Sequence, residues 1–381
     1  MNEGRVGVRL NPFKGAAGPA GEAVPWSPWG RLLSERPNFT LDPLLHAGCY
    51  YVQDSSAMYA GYVFRRHLPD LQHVARPLRV LDLCAAPGGK TTDLSASLRE
   101  ACGDAFTLVS NEVMRARASV LRDNVALWGD PNVVVTSVDP AVIGRVLPGW
   151  FDAVVADVPC SGEGMFRKDP RAEAEWSPAV VELCAARQRR ILADVWPALR
   201  QGGLLLYATC TYEDSENDAN LEWAAAQLGG RICPPDNPFA DWGVRQTRCG
   251  NLLRHGEVPG EGQWVGALVK TAPAPAPGAK AGPQDLRPIL CGVVKGERKG
   301  NDFVPDPDYA LSLAYEGEYP ELELDRAQAL RFLHRDALNL PGAPKGYLLL
   351  RFEGHALGFV KNLGPRCNNL LPRGRRIRMD V

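Results

Sequence analysis

Arg79-Val-Leu-Asp-Leu-Cys-Ala-Ala-Pro-Gly-Gly-Lys-Thr-Thr92 is the stretch from which the rest of the chain is read. An apolar run gives way to small residues, proline and two glycines, and a polar helical stretch, Thr91 to Leu98, follows at once. That order predicts strand, tight loop, helix. In a parallel α/β sheet such a loop lies at the carboxyl edge of a strand, where backbone approaches a ligand and the first helical N–H groups point at it. Two ligands compete for it. A nucleoside triphosphate needs Gly-x-x-x-x-Gly-Lys-[Ser/Thr], which Cys84 to Thr91 matches except that Cys84 replaces the first glycine. S-adenosyl-L-methionine carries an ammonium, which Asp82 would take, and a carboxylate, which the loop N–H groups would take. A phosphate cradle gains nothing from a carboxylate beside it, so Asp82 favours S-adenosyl-L-methionine and leaves the nucleotide as the alternative.

The 381 residues have room for roughly two or three domains. With 45% hydrophobic and 23% charged residues the composition is that of a globular protein with a large core. A formal net charge of −1 excludes bulk attraction to nucleic acid, so any such contact must come from local basic clusters. No apolar run is long enough to span a bilayer, and Met1 to Gly30 lacks the apolar core of a secretion signal; a cytoplasmic protein with no membrane partner is expected. The 10 cysteines are scattered singly, without a Cys-x-x-Cys pair or a paired-histidine spacing. Neither a disulfide framework nor a metal site is expected.

Residues 1–47, rich in proline, glycine and tryptophan, read as an irregular arm. Gly48 to Ala60 reads as a short strand capped by Asp54 or Ser55 into a helix. Strands at 79–83, 106–111, 133–138, 151–156 and 203–209 then alternate with helices near 89–100, 114–127, 179–199 and 215–228, the pattern of a doubly wound sheet with right-handed crossovers. Arg245 to Leu253 and Gln263 to Thr271 read as an antiparallel hairpin at its edge. The expected domain thus spans 48–271, a Pro/Ala linker follows at 272–283, and a smaller unit of short strands occupies 284–381. Its end is basic, with Lys361, Arg366, Arg373, Arg375, Arg376 and Arg378, which reads as a nucleic-acid backbone contact.

Acids recur where strands end. Glu112 suits an acid gripping ribose hydroxyls, Asp139 would flank a base with an exocyclic amine, and Asp157 closes the next strand. Asp157-Val-Pro-Cys-Ser-Gly162 occupies the place where enzymes methylating exocyclic amines carry an aromatic residue for a flipped base, but this chain has Cys160 there. A second thiol, Cys210, ends the strand Tyr207-Ala-Thr-Cys-Thr211. Thiols suit methylation of cytosine C5, a poor nucleophile: addition of a thiolate to C6 gives C5 enamine character, and loss of the C5 proton later expels the sulfur. Hydrogen bonding at N3 by Asp157 would offset the charge that builds up on addition, and Lys90 is the cation expected to favour the thiolate.

With Asp82-Leu-Cys-Ala-Ala-Pro-Gly-Gly-Lys-Thr91, Asp157-Val-Pro-Cys-Ser-Gly162 and Ala208-Thr-Cys210 in this order, the chain resembles the NSUN/RsmF family of RNA cytosine-C5 methyltransferases over roughly residues 45–270. The resemblance implies a class I S-adenosyl-L-methionine-dependent methyltransferase fold, with Cys210 as nucleophile and Cys160 assisting product release. It places cofactor contacts at Asp82, Cys84, Ala85, Ala86, Pro87, Gly88, Gly89, Lys90, Glu112, Asp139 and Asp157. The C-terminal unit looks like the PUA-like α+β RNA-binding module of the RsmF branch, which implies small-subunit (16S) ribosomal RNA as partner. A monomer is expected.

Overall fold

A computed structural model describes residues 5–72, 76–166, 173–174 and 176–380. The first strands are β1 (Val6–Leu10), β2 (Glu22–Ala23), β3 (Gly30–Leu33) and β4 (Tyr50–Val52), paired in the order β2-β3-β1-β4. The expectation of an irregular arm is corrected here. Within the arm, β1, β2 and β3 are two to five residues long and separated by proline and glycine turns, too short to show a period in sequence, while β4 is the short strand expected at the start of Gly48 to Ala60. What stabilises them is distant: Val8, Leu10 and Trp29 share a buried core with Leu324, Phe332 and Leu348 of the C-terminal unit. Arg9, fully buried, donates to Gln53 Oε1 at 2.9 Å, to the Gly89 carbonyl at 3.1 Å and to Thr92, and lies 3.9 Å from Asp93. Asp54 Oδ1 accepts from the Ser56 N–H, and after a 3-10 turn the helix Tyr59–Leu71 follows.

The central sheet is built from β5 (Leu78–Asp82), β6 (Phe106–Asn111), β7 (Val133–Thr136), β8 (Phe151–Asp157) and β9 (Leu199–Thr209), joined by β10 (Gly230–Ile232), β11 (Arg245–Gln246), β12 (Gly250–Arg254) and β13 (Gly262–Lys270). Its order is β11-β12-β13-β9-β8-β5-β6-β7, with β5 to β9 mutually parallel, β13 antiparallel to β9, and β10 paired with β13. Helices Gly89–Cys102, Arg115–Trp128, Pro140–Val146, Pro178–Val195 and Asp218–Leu228 complete the doubly wound pattern. Side chains alternate between two cores: Val80, Leu108 and Val155 enter one, Leu81, Val109 and Val154 the other. Coverage on both faces is why these strands read as continuous apolar runs. At the opposite end from the Gly-Gly loop, Asp152 is fully buried and accepts from Arg76, the Arg79 N–H and Arg200.

Residues 272–282 carry no helix or strand. The chain beyond them does not leave the sheet at once: β14 (Leu290–Cys291) pairs antiparallel with β7, so residues just after 283 extend the central sheet rather than open a separate unit. A hairpin, β15 (Gly296–Lys299) and β16 (Asp302–Pro305), comes next. Then β17 (Glu321–Glu323), β18 (Gly346–Phe352), β19 (His355–Asn362) and β20 (Cys367–Asn369) form a second four-stranded sheet in that order, with the helix Arg326–His334 packed against it. Asp325 and Gln328 cap that helix reciprocally. No described helix is long and apolar enough to cross a membrane.

Candidate active site

The strand ends of β5, β8 and β9 meet at one rim, and the loops leaving them carry the residues singled out by spacing. After β5, Leu83 N–H bonds the Val155 carbonyl and Ala85 N–H the Asn111 carbonyl, so the loop is pinned to both neighbouring strands. Gly88 has φ +117°, a conformation that side chains rarely adopt, and the helix begins at Gly89. Arg117 and Asn124 hold the Ala86 and Pro87 carbonyls at 2.8 Å from the outside.

Asp82 is fully buried. Its Oδ2 accepts from Thr91 at 2.6 Å, while Oδ1 has no hydrogen-bond partner. Burial pushes its carboxyl up to about 7, against the pull of the Thr91 hydroxyl and with a further push from Asp157. A buried carboxylate oxygen lacking a donor fits an arriving ammonium, and a phosphate would meet repulsion there. The residues present therefore fit S-adenosyl-L-methionine and not a nucleoside triphosphate. Lys90 agrees: it donates to Asp157 at 2.8 Å and contacts Gln263 at 3.3 Å instead of standing free for a phosphate. Burial works against the Lys90 charge, but Asp157 beside it, with Asp82 and Cys210 farther off, leaves the ammonium above its ordinary pKa.

Cys160 and Cys210 come together although 50 residues separate them. Their Sγ atoms lie 2.8 Å apart, and the Cys210 N–H points at the Cys160 sulfur at 3.2 Å. The hydrogen bond with Cys210 and burial hold the Cys160 thiol well above its usual pKa. Both cysteines line a cavity of 610 Å³ whose lining also includes Asp157, Cys84, Ala86 and Arg117. The Cys84 thiol is pushed up by burial and by Asp157.

The two thiol loops rest on a buried polar network. Glu216 Oε2 accepts from the Ser161 N–H at 3.1 Å and from Gln188 Nε2 at 2.6 Å, and Gln188 also donates to the Pro159 carbonyl. Tyr207 OH donates to Gln188 and to the Glu216 carbonyl. Asn217 takes the Thr209 hydroxyl and donates to the Thr211 carbonyl. From above, Glu163 accepts from Thr211 Oγ1 and the Tyr212 N–H.

The remaining acids sit at neighbouring strand ends. Glu112 is buried, accepts from the Met114 N–H at 2.9 Å and pairs with Arg117 at 3.2 Å. Asp139 is exposed and caps the helix Pro140–Val146 through the Ala141 N–H. Sequence reasoning missed Arg117, Gln263, Gln188 and Glu216. Glu216 follows Cys210 by six residues and Asn217 comes next, so a polar pair after the second thiol was the available signal. The basic end needs correction in part. Arg375 is committed to Asp308 at 2.7 Å and Asp123 at 3.3 Å, and Lys361 pairs with Asp302. Arg366, Arg373, Arg376 and Arg378 remain exposed.

A family model described as 16S rRNA methyltransferase RsmB/F matches residues 73–227, and one described as methyltransferase RsmF PUA domain matches residues 319–377. Solved structures share the fold. A methyltransferase homologue from Pyrococcus horikoshii is 23% identical with a TM-score of 0.55, covering 70% of this chain and 86% of that one. NSun6 from Pyrococcus horikoshii with SFG is 21% identical with a TM-score of 0.52, covering 62% and 57%. The ribosomal RNA small subunit methyltransferase F of Pectobacterium atrosepticum is 34% identical over 295 residues, 74% of this chain, which spans 59% of that relative's length. The protein of the same name from Aeromonas salmonicida is 31% identical over 414 residues, covering 92% of this chain and 84% of the relative. With fold, rim chemistry and this span of similarity in agreement, the chain belongs to the ribosomal RNA small subunit methyltransferase F family.

Proposed function

We propose that this chain transfers a methyl group from S-adenosyl-L-methionine to C5 of a cytosine in RNA, the RNA being small-subunit (16S) ribosomal RNA, through a transient Cys210–C6 bond. The observation that carries the reading is the pair of thiols 2.8 Å apart on a cavity shared with Asp157 and the cofactor loop. Bound S-adenosyl-L-methionine supplies an electrophilic methyl group. Asp82 takes its ammonium, the loop from Cys84 to Lys90 its carboxylate, Glu112 its ribose, and Asp139 flanks its base.

Cys210 Sγ attacks C6 of the flipped ring, and the electron pair displaced from the C5–C6 bond makes C5 nucleophilic. Asp157, in contact with Lys90, holds N3 and offsets the charge gathering there, with Lys90 as the nearest proton source. After methylation the C5 proton passes to water in the open cleft, its C–H electron pair re-forms the double bond, and the C6–S electron pair leaves with Cys210. Cys160, kept as a thiol by its neighbour and by burial, donates to the departing sulfur and so speeds release. The C-terminal unit serves as an RNA-binding module.

Incubation with 16S ribosomal RNA and labelled cofactor, followed by mapping of 5-methylcytosine, tests the reading. Cys210→Ala should abolish transfer, and Cys160→Ala should accumulate a protein–RNA adduct stable on a denaturing gel. Full activity of the Cys210→Ala protein would refute it.

A further inference from the structure

Away from the thiols a second cavity of 610 Å³ opens beyond the carboxyl end of β7, between the helix Arg115–Trp128 and the segment that leads into β14. Arg115, Ser119, Arg122, Ser137 and Arg287 line it, and none of these lines the thiol cavity. Its charge is one-sided. Arg122 is paired with Asp123 at 2.8 Å and Asp308 at 2.6 Å, whereas Arg115 and Arg287 have no acidic partner among the described residues. The Ser137 hydroxyl is buried and has no hydrogen-bond partner.

The backbone presents one of these cations at a cost. Arg287 has φ +51°, in the left-handed region that non-glycine residues avoid. Its N–H bonds the Gln284 carbonyl at 3.1 Å, and two residues later the Ile289 N–H bonds the Val135 carbonyl at 2.8 Å, so the kink is held on both sides. Two guanidiniums without counter-charge, together with hydroxyls in a concave site, match the forked hydrogen-bonding demand of a phosphate. The cofactor contains no phosphate and does not account for them.

We propose that this cavity clamps one backbone phosphate of the RNA substrate between Arg115 and Arg287, an inference that rests on the RNA reading above. Cys210 follows β9 and Ser137 follows β7, four strand intervals away in the order β9-β8-β5-β6-β7. At about 4.8 Å per interval this is roughly 19 Å along the rim. The phosphate held there lies several nucleotides from the reacting base. The clamp therefore sets affinity and register and does not touch the chemistry.

The test compares the full chain with its Arg115→Ala/Arg287→Ala variant, using a labelled 16S ribosomal RNA fragment that the unaltered chain methylates. Both side chains are exposed, so the variant keeps the fold. Loss of one phosphate contact should flatten the log–log salt dependence of binding by about 0.7, which is about fivefold in affinity at roughly 0.1 M salt and vanishes towards 1 M. KM for RNA should rise by the same factor, with kcat and cofactor affinity unchanged. Equal slopes and affinities for the two proteins would overturn the clamp alone. So would stabilisation of the unaltered chain by inorganic phosphate with no difference in RNA binding, since the cavity would then take a free anion. An unaltered chain that binds and methylates no RNA would remove the proposed function as well.

Discussion

Asp82 shows how a single side chain couples burial to ligand chemistry. Its carboxyl is pushed up to about 7 by burial, with Asp157 and Glu112 adding to the effect and Thr91 and Lys90 opposing it. The folded chain therefore holds a proton that the unfolded chain has released above about pH 4, and Asp82 makes stability fall as pH rises from there to about 7. An ammonium needs the ionised form, so the sign reverses on binding. Affinity for S-adenosyl-L-methionine should climb about tenfold per unit as pH rises towards 7 and then level off. Titration calorimetry across that range reads it, and Asp82→Asn should weaken binding and flatten the profile; an unchanged slope in that variant would remove Asp82 from the ammonium site. The sequence carried this much directly: a carboxylate at the end of an apolar strand before Gly-Gly-Lys. It did not carry the commitment of Lys90 to Asp157, because that contact joins residues 67 positions apart.

Among elements, the helix Gly89–Cys102 and the network under the thiols have separate supports. Arg9 of β1 reaches the Gly89 carbonyl and Thr92 from a fully buried position, and its burial holds its pKa down to about 10 despite Asp93. Arg9→Met should cost about 1–3 kcal/mol in chemical denaturation, because the Gly89 carbonyl and Gln53 Oε1 lose their donor while Asp93 keeps Arg65 at 2.9 Å. It should also weaken cofactor binding, because the start of the helix is released. Glu216→Ala leaves the Ser161 N–H and Gln188 Nε2 without their acceptor. Each unmet donor costs about 1–3 kcal/mol, and methyl transfer should fall more than cofactor affinity as the two thiol loops lose their common anchor. Equal losses of both would show that Glu216 acts on the fold and not on the spacing of the thiols. Periodicity sufficed for the strands and helices of the doubly wound sheet, since alternating cores impose long apolar runs. It failed for β1 to β3, whose strands are short and which share their core with residues some 300 positions away, whereas β4 lies in the strand expected at Gly48 to Ala60.

Taken as a whole, the molecule closes on itself through its two ends. Arg375 binds Asp308 and Asp123, Arg122 binds Asp308, and Val8, Leu10 and Trp29 share a core with Leu324, Phe332 and Leu348. Arg375→Ala should lower stability by roughly 1–3 kcal/mol. Truncation after Glu318 should expose the apolar face of β1 and β3, read as faster amide exchange in those strands and added dye binding; unchanged exchange would show that the first sheet stands alone. The linker composition of 272–283 suggested a separable C-terminal unit, yet β14 returns to β7 and joins the methyltransferase sheet. Local chemistry was enough to specify the doubly wound sheet, the Gly-Gly loop after β5 and the two thiols, because each is written in a few adjacent residues whose backbone preferences and functional groups act over one strand and one turn. The pairing of Cys160 with Cys210, the partner of Lys90, the burial of Arg375 and the meeting of the chain's two ends depend on folding, because each is a contact between segments that share no local signal and become neighbours only when the apolar faces are buried.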